Sequence, residues 1–269
     1  MVDIEFLSRK YFSKGEPCPY KLKSDIEILI YPILVKDYDE YEDCKPIMEF
    51  DKNTINDVEV IKMSQLEYLN FLFSNKREVD GVNIGEIQLQ MFKGIFSLCL
   101  KEDYVAIAKN EKGKFIVVVA EKDEKDEFIV KYTITNKEYL DIVKIILYQN
   151  DSDYNDQYVS PDVLEEYNEM MKLKTKGMKN PTLEERKVFV LSRYRCTLED
   201  INNMTYRFFD MLYNEYIGIE QYYIESLYKI SQKFDVKEKI IYPLFKPKED
   251  RFKDLFMSTD SLNSKLGNQ

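Results

Sequence analysis

YVAIAKNEKGKFIVVVAEKDEKDEFIVKYTI, residues 104–134, sets the fold class. Three runs within it, YVAIAKN, KFIVVVAEKD and EFIVKYTI, follow a period of two, and the short charged turns EKG at 111–113 and EKD at 124–126 separate them. β-Branched and aromatic residues in alternation, bounded by turns of this length, predict a three-stranded antiparallel meander. Such a sheet has an apolar face that needs a cover. The next segment supplies one: Asn136 is expected to cap a helix carrying Tyr139, Leu140, Val143, Ile146 and Leu147 at spacings of three and four.

Upstream, residues 3–12 read as a short helix ended by Gly15 and a Pro17-Cys18-Pro19 turn. IEILIYPIL at 26–34 reads as a strand with Pro32 at its end, and 36–44 as a helix with Tyr38, Tyr41 and Cys44 on one face. Ser64 and Glu67 form a capping box for a helix through Leu66, Leu69 and Phe73. Ile84, Ile87, Met91, Ile95 and Leu98 are expected to share one face of a longer helix. Downstream the signals are all helical. Ser160 precedes Pro161, Thr182 pairs with Glu185, and Thr197 pairs with Asp200. An apolar stripe then runs from Ile201 to Ile230, predicting one long helix or two joined near Gly218. KIIYPLF at 239–245 reads as extended, and the polar end as loose.

Composition narrows the function. With 49 acidic and 39 basic residues the net charge is −10, and no basic patch stands out to hold a nucleic acid. Histidine is absent, which removes the commonest general base and the commonest nitrogen ligand for a metal. The four cysteines are widely spaced with no CxxC pair and read as reduced structural thiols. MVDIEFLSRKYFSKGEP lacks a signal-peptide core, and no run approaches the ~20 apolar residues of a membrane span. A cytoplasmic location is the expectation.

Few constellations carry chemistry. No glycine-rich nucleotide motif is present. Asp151, Asp153, Asn155 and Asp162 occupy ligand positions of a calcium loop, but the sixth position is Asp156 where the turn needs glycine. Asp37, Asp39, Glu40, Glu42 and Asp43 are of a type to hold magnesium for a nuclease-like reaction, but a charged outer face opposite the aromatic face of Tyr38 and Tyr41 explains them without function and is the favoured reading. CTLEDINNMTYRFFDMLYN at 196–214 reads as one helix. As an active site it would use Tyr206 or Asp210 as acid or base and Arg207 as a clamp, yet no nucleophile is nearby. Ile201, Met204, Phe208 and Met211 suit a core face, leaving Asn202, Tyr206, Arg207 and Tyr213 as residue types suited to contact a protein partner.

The order ILYQN (146–150), an acidic DxDY segment, SPDVLEEY, PTLEERKVFVLS (181–192) and TLEDINNMTYRFF (197–209) resembles a group of tailed-phage proteins of Gram-positive hosts regarded as tail assembly chaperones. IYPILVKDYDEY (30–41) and VIKMSQLEYLNFLF (60–73) are similar to that group too, so the resemblance spans most of the chain. After Ser231 the sequence departs from it. The resemblance implies a non-enzymatic protein of the host cytoplasm or the virion, without cofactor or metal, that binds the tape-measure protein or the tail-tube protein. It transfers no catalytic residue. Ten methionines and abundant Tyr and Phe are raw material for an adaptable contact surface.

The expectation is an α+β protein. Residues 1–150 form a domain with a small antiparallel sheet covered by helices, and 151–269 form an all-helical interaction domain with a loose end. The rival readings are a structural component of the tail or baseplate and a carboxylate-dependent magnesium enzyme; self-association is left open.

Overall fold

The computed structural model describes residues 2–50, 52, 55, 57–75, 78, 79, 81–155, 161–174, 176, 180–231 and 240–243. Asp3 opens α1 (Ile4–Lys10) by accepting from the Phe6 amide, and a 3-10 turn then ends at Gly15 with φ of 67°. Strand β1 (Cys18–Lys21) follows, where the sequence suggested only a turn, and pairs antiparallel with β2 (Glu27–Ile30). Pro19 is tolerated inside β1 because both strands of a two-stranded ladder are edges, so its missing N–H can face outward. Helices α2 (Tyr38–Cys44), α3 (Pro46–Glu49), α4 (Val58–Lys62) and α5 (Gln65–Phe73) come next, with the Ser64–Glu67 capping box in place. A short hairpin of β3 (Glu78–Val79) and β4 (Val82–Asn83) leads into α6 (Ile84–Leu100), which Asn83 caps.

The predicted meander is present as β5 (Tyr104–Lys109), β6 (Phe115–Lys122) and β7 (Phe128–Thr135), antiparallel and in that order. Its inner face presents Val105, Val117, Val119, Tyr132 and Ile134, all buried. Helix α7 (Asn136–Asn150) packs against β6 and β7 with Tyr139, Ile142, Ile145 and Ile146, and α5 packs on β6. The cover expected from the sequence is therefore in place, with two differences. The residue at the cap is Thr135, and Leu140 is exposed. Asn136 instead accepts the Leu66 amide at the start of α5, at 2.9 Å.

Ile95 and Leu98 of the stripe expected on α6 are buried, but the rest of the buried face is displaced from it. Phe92, Ile95, Phe96 and Cys99 are the buried row of α6, whereas Ile87 is 42% exposed and Met91 half-buried. Aromatic rings bury more area than aliphatic side chains and so decide the orientation; Phe73, Phe96 and Tyr139 pack at tilted angles around Phe92, with centroids 4.9–6.0 Å away.

Beyond Asp151 the regular elements among the described residues are helices: α8 (Pro161–Lys174), α9 (Leu183–Arg193), α10 (Leu198–Asn202) and α11 (Tyr206–Ile230). Thr182 and Thr197 cap α9 and α10 through the predicted boxes with Glu185 and Asp200. Ser160 lies outside the described residues, as do most of 239–245 and the polar end; residues 240–242 carry no regular element. Helix α11 runs unbroken through Gly218, where a Cβ would stand 3.0 Å from Pro243.

Two compact units emerge. The first comprises Met1–Asn155 and takes back Cys196–Met211; the second comprises Asp156–Arg195 and Leu212–Gln269. In the second unit, Val190 is fully buried, Phe189 meets Tyr213 edge-on at 5.7 Å, and Arg193 pairs with Glu220 at 2.7 Å. No helix among the described residues is long and apolar enough to cross a membrane.

Candidate functional site

The 196–214 stretch is two helices instead of one. The break at Asn203, Met204 and Thr205 has a cause: this segment is used to bind the strand-like residues after β2. The Val35 amide donates to Met204 O at 2.9 Å, the Tyr206 amide donates to Ile33 O at 2.8 Å, and Leu34 and Thr205 bridge antiparallel. Backbone groups engaged across the chain cannot also close helical turns, so α10 stops and α11 starts afresh. Thr205 also fits against Gly15, where a Cβ would come within 2.9 Å of its Cγ2.

Around this seam, residues 30–35 are held from several sides by buried amides. Asn150 Oδ1 accepts the Ile33 amide at 2.8 Å, while its Nδ2 donates to Ile146 O. Gln149 Nε2 donates to Ile30 O and Glu16 O, and the Tyr31 amide donates to Cys99 O. Buried side-chain amides are costly unless bonded, so the bonds of Asn150 and of Gln149 Nε2 favour one register of the segment, while Gln149 Oε1 is enclosed without a hydrogen-bond partner among the described residues. Neither amide drew notice in the sequence. The signal available was their place at the polar end of an apolar helix, where a solvated end would ordinarily be read.

The four residues expected to meet a partner divide as follows. The ring of Tyr206 is buried and stacks on Tyr38, centroids 3.7 Å apart. Arg207 is half-buried, and its Nη1 donates to Tyr148 O at 2.7 Å and Asp151 O at 3.0 Å. These are carbonyls at the end of α7, which has no intrahelical donors left for them, and a cation there also complements the helix dipole. Burial lowers the pKa of the guanidinium, against the opposing pull of Asp151 and Asp153. Asn202 is half-buried, with Oδ1 enclosed and lacking a hydrogen-bond partner among the described residues. In the second unit, Tyr213 lies under Arg186, whose guanidinium is 4.6 Å from the ring centroid. The fold thus brings Tyr206 and Arg207 together as a latch on α7 and on Tyr38. Its inward-facing contacts leave the outer surface of α11 to other side chains.

An open cavity of about 670 Å³ lies beside α2 and α6. Cys44, Ile87, Met91 and Gly94 give it an apolar floor; Glu40, Asp43 and Asp103 give it an acidic rim, with Lys93 opposing them. Two of the five carboxylates singled out at 37–43 thus reach it. Burial raises the Cys44 pKa, as do Glu40 and Asp43, so this thiol is held protonated and is a poor nucleophile. Elsewhere, Asp151 Oδ1 accepts the Asp153 amide at 2.8 Å, and positions 156–160 of the calcium-like loop lie outside the described residues. Among the described residues no group of three or more Cys, Asp or Glu side chains is placed to hold a metal ion.

All four cysteines are free, three of them buried, and burial pushes the Cys18 thiol up to about 11. Glu138 behaves differently. Burial opposes its ionisation, yet the Thr135 hydroxyl and amide and the Lys23 amide all donate to its carboxylate, and together they hold its pKa below the ordinary range.

Comparisons with protein-family models, curated proteins and solved structures returned no match for this chain.

Proposed function

We propose that this protein acts by binding another protein, as a tail assembly chaperone of a tailed phage that engages the tape-measure or tail-tube protein. The observation that carries the binding reading is the outer face of α11. Ile217, Ile224 and Tyr228 line up at helical spacing, Tyr223, Leu227 and Ile230 lie beside them, and all six are exposed, Leu227 by 66% and Ile230 by 80%. An apolar stripe of this length on a charged chain stabilises the fold little where it stands and gains its area only when a second surface covers it. An apolar helix of the kind that builds a long coiled coil would match it, side chains meeting at three and four residue intervals. The tape-measure assignment comes from the sequence resemblance; the stripe supports a protein ligand of that chemistry.

The test is co-purification and titration of the full chain with its neighbouring tape-measure and tail-tube gene products. Wild-type protein is expected to bind one of them, and Leu227→Glu with Ile224→Glu to weaken that binding by roughly tenfold or more, given what burying two large apolar side chains contributes. Their far-UV circular dichroism should not change. Binding that survives both substitutions would remove the α11 stripe from the reading. Stoichiometric copies of the chain in purified particles would favour a structural tail component over a chaperone.

A further inference from the structure

We propose that β7 is a self-association edge, pairing antiparallel with β7 of a second copy about a twofold axis at Ile129. The first half of β7 is open where the second half is covered. Phe128, Ile129 and Val130 are exposed, by 63%, 51% and 59%, while Tyr132 and Ile134 are buried. β7 pairs only with β6 among the described strands, so its far edge has no ladder partner there. Native edges are ordinarily guarded by proline, by lysine, by a bulge or by brevity; in this eight-residue strand the lysine and the bulge both stand at Lys131, and Phe128-Ile129-Val130 before them carries none of these guards.

The ladder defines which backbone groups are available. At the hairpin end, the Asp123 amide donates to Glu127 O at 2.9 Å, so Glu127 turns its backbone groups toward β6. In an antiparallel pair this alternates. Ile129, opposite Glu121, does the same, and Phe128 and Val130 direct their N–H and C=O outward. A twofold at Ile129 places Phe128 of one copy opposite Val130 of the other, where each pair exchanges both of its hydrogen bonds.

The side chains agree with that register. The shift between Val119 and Ala120 leaves Lys131 as an extra residue, which puts Val130 on the outer face with Ala120 while Tyr132 stays inward with Val119. Phe128 and Val130 then make an aromatic–β-branched cross-strand pair, a favourable combination. On the other face, Lys131 of each copy comes opposite Glu127 of the other. Moving the axis by one residue to Phe128 would instead set Lys131 against Lys125, so charge selects the Ile129 register. Lys131 already reaches Glu102 at 2.7 Å, and Glu127 would add to the same cluster. No residue of the α11 stripe takes part.

Sedimentation of the full chain tests the pairing. A species of twice 32.2 kDa is expected at micromolar concentration. Lys131→Glu should raise the dimer dissociation constant by roughly tenfold, because like charges then oppose each other twice across the axis, and adding Glu127→Lys should restore it. In a Cys196→Ser background, Ile129→Cys should form an interchain disulfide on mild oxidation. The reason is that facing Cα atoms of a non-hydrogen-bonded pair lie about 4.5 Å apart, within disulfide reach. Val130→Cys, facing Phe128 instead of itself, should not cross-link. A wild-type chain that stays at 32.2 kDa up to about 100 μM would overturn the proposal. So would a dimer indifferent to the charge reversals, or equal cross-linking at 129 and 130. If Lys131→Glu disturbs the fold through its contact with Glu102, the contrast between the two cysteine positions decides.

Discussion

Arg207 illustrates how a residue type misleads when its neighbours are unknown. An exposed arginine beside tyrosines is a favoured contact residue, but here the guanidinium reaches back across 59 residues of sequence to the last carbonyls of α7. Replacing it by alanine should cost about 2 kcal/mol, since two charge-assisted bonds are lost and two partly buried carbonyls are left unpaired. Arg207→Lys should recover only part of this, because an ammonium on a single stem lacks the planar fork that holds the guanidinium in place. Thermal denaturation of the two variants beside wild type checks the order. Glu138 and Asn150 teach the converse lesson: these polar residues of α7 are buried, and each accepts a backbone amide from a distant segment, Lys23 and Ile33 respectively.

Among the elements, α2 and α6 approach closely at Gly94. A Cβ on Gly94 would stand 2.5 Å from Cys44 Sγ, closer than atoms in contact can approach. Gly94→Ala should therefore destabilise the first unit by about 1–3 kcal/mol through overpacking, despite the better helix propensity of alanine. Removing the sulfur relieves the clash, so Gly94→Ala with Cys44→Ala should be less destabilised than the sum of the single changes, as a double-mutant cycle in urea would measure. The buried face of α6 is set elsewhere, by the aromatic cluster around Phe92. Periodicity correctly predicted a helix over 84–98, but five aliphatic positions could not say which of two adjacent apolar rows would meet the aromatic cluster. Capping boxes were more legible. Ser64, Thr182 and Thr197 were each found because the signal needs only residues three apart.

For the whole molecule, the first unit is discontinuous in sequence. Ile201 and Phe209 are fully buried, and Tyr206 covers Tyr38. A fragment ending at Asn155 would lack these groups and leave Ile33 and Val35 with lost backbone partners. It should melt at lower temperature and bind more of a hydrophobic dye than a fragment extended through Met211, which circular dichroism and dye fluorescence would show. The sequence division at residue 150 falls close to the first boundary and omits the return of 196–211.

What was readable in the chain alone was local: the period of two over 104–134, the periods of three and four that flank it, and the hydroxyl–carboxylate pairs that open helices. These rest on interactions between residues a few positions apart, whose chemistry a single sequence contains. The antiparallel meander, the helices and the α+β class follow from them. What waited on tertiary structure was long-range: the β1 strand made possible by a partner edge, the break between α10 and α11 made by residues 33–35, and the inward turn of Tyr206 and Arg207. Each depends on a backbone or side-chain partner far along the chain, and only folding brings that partner within hydrogen-bonding distance.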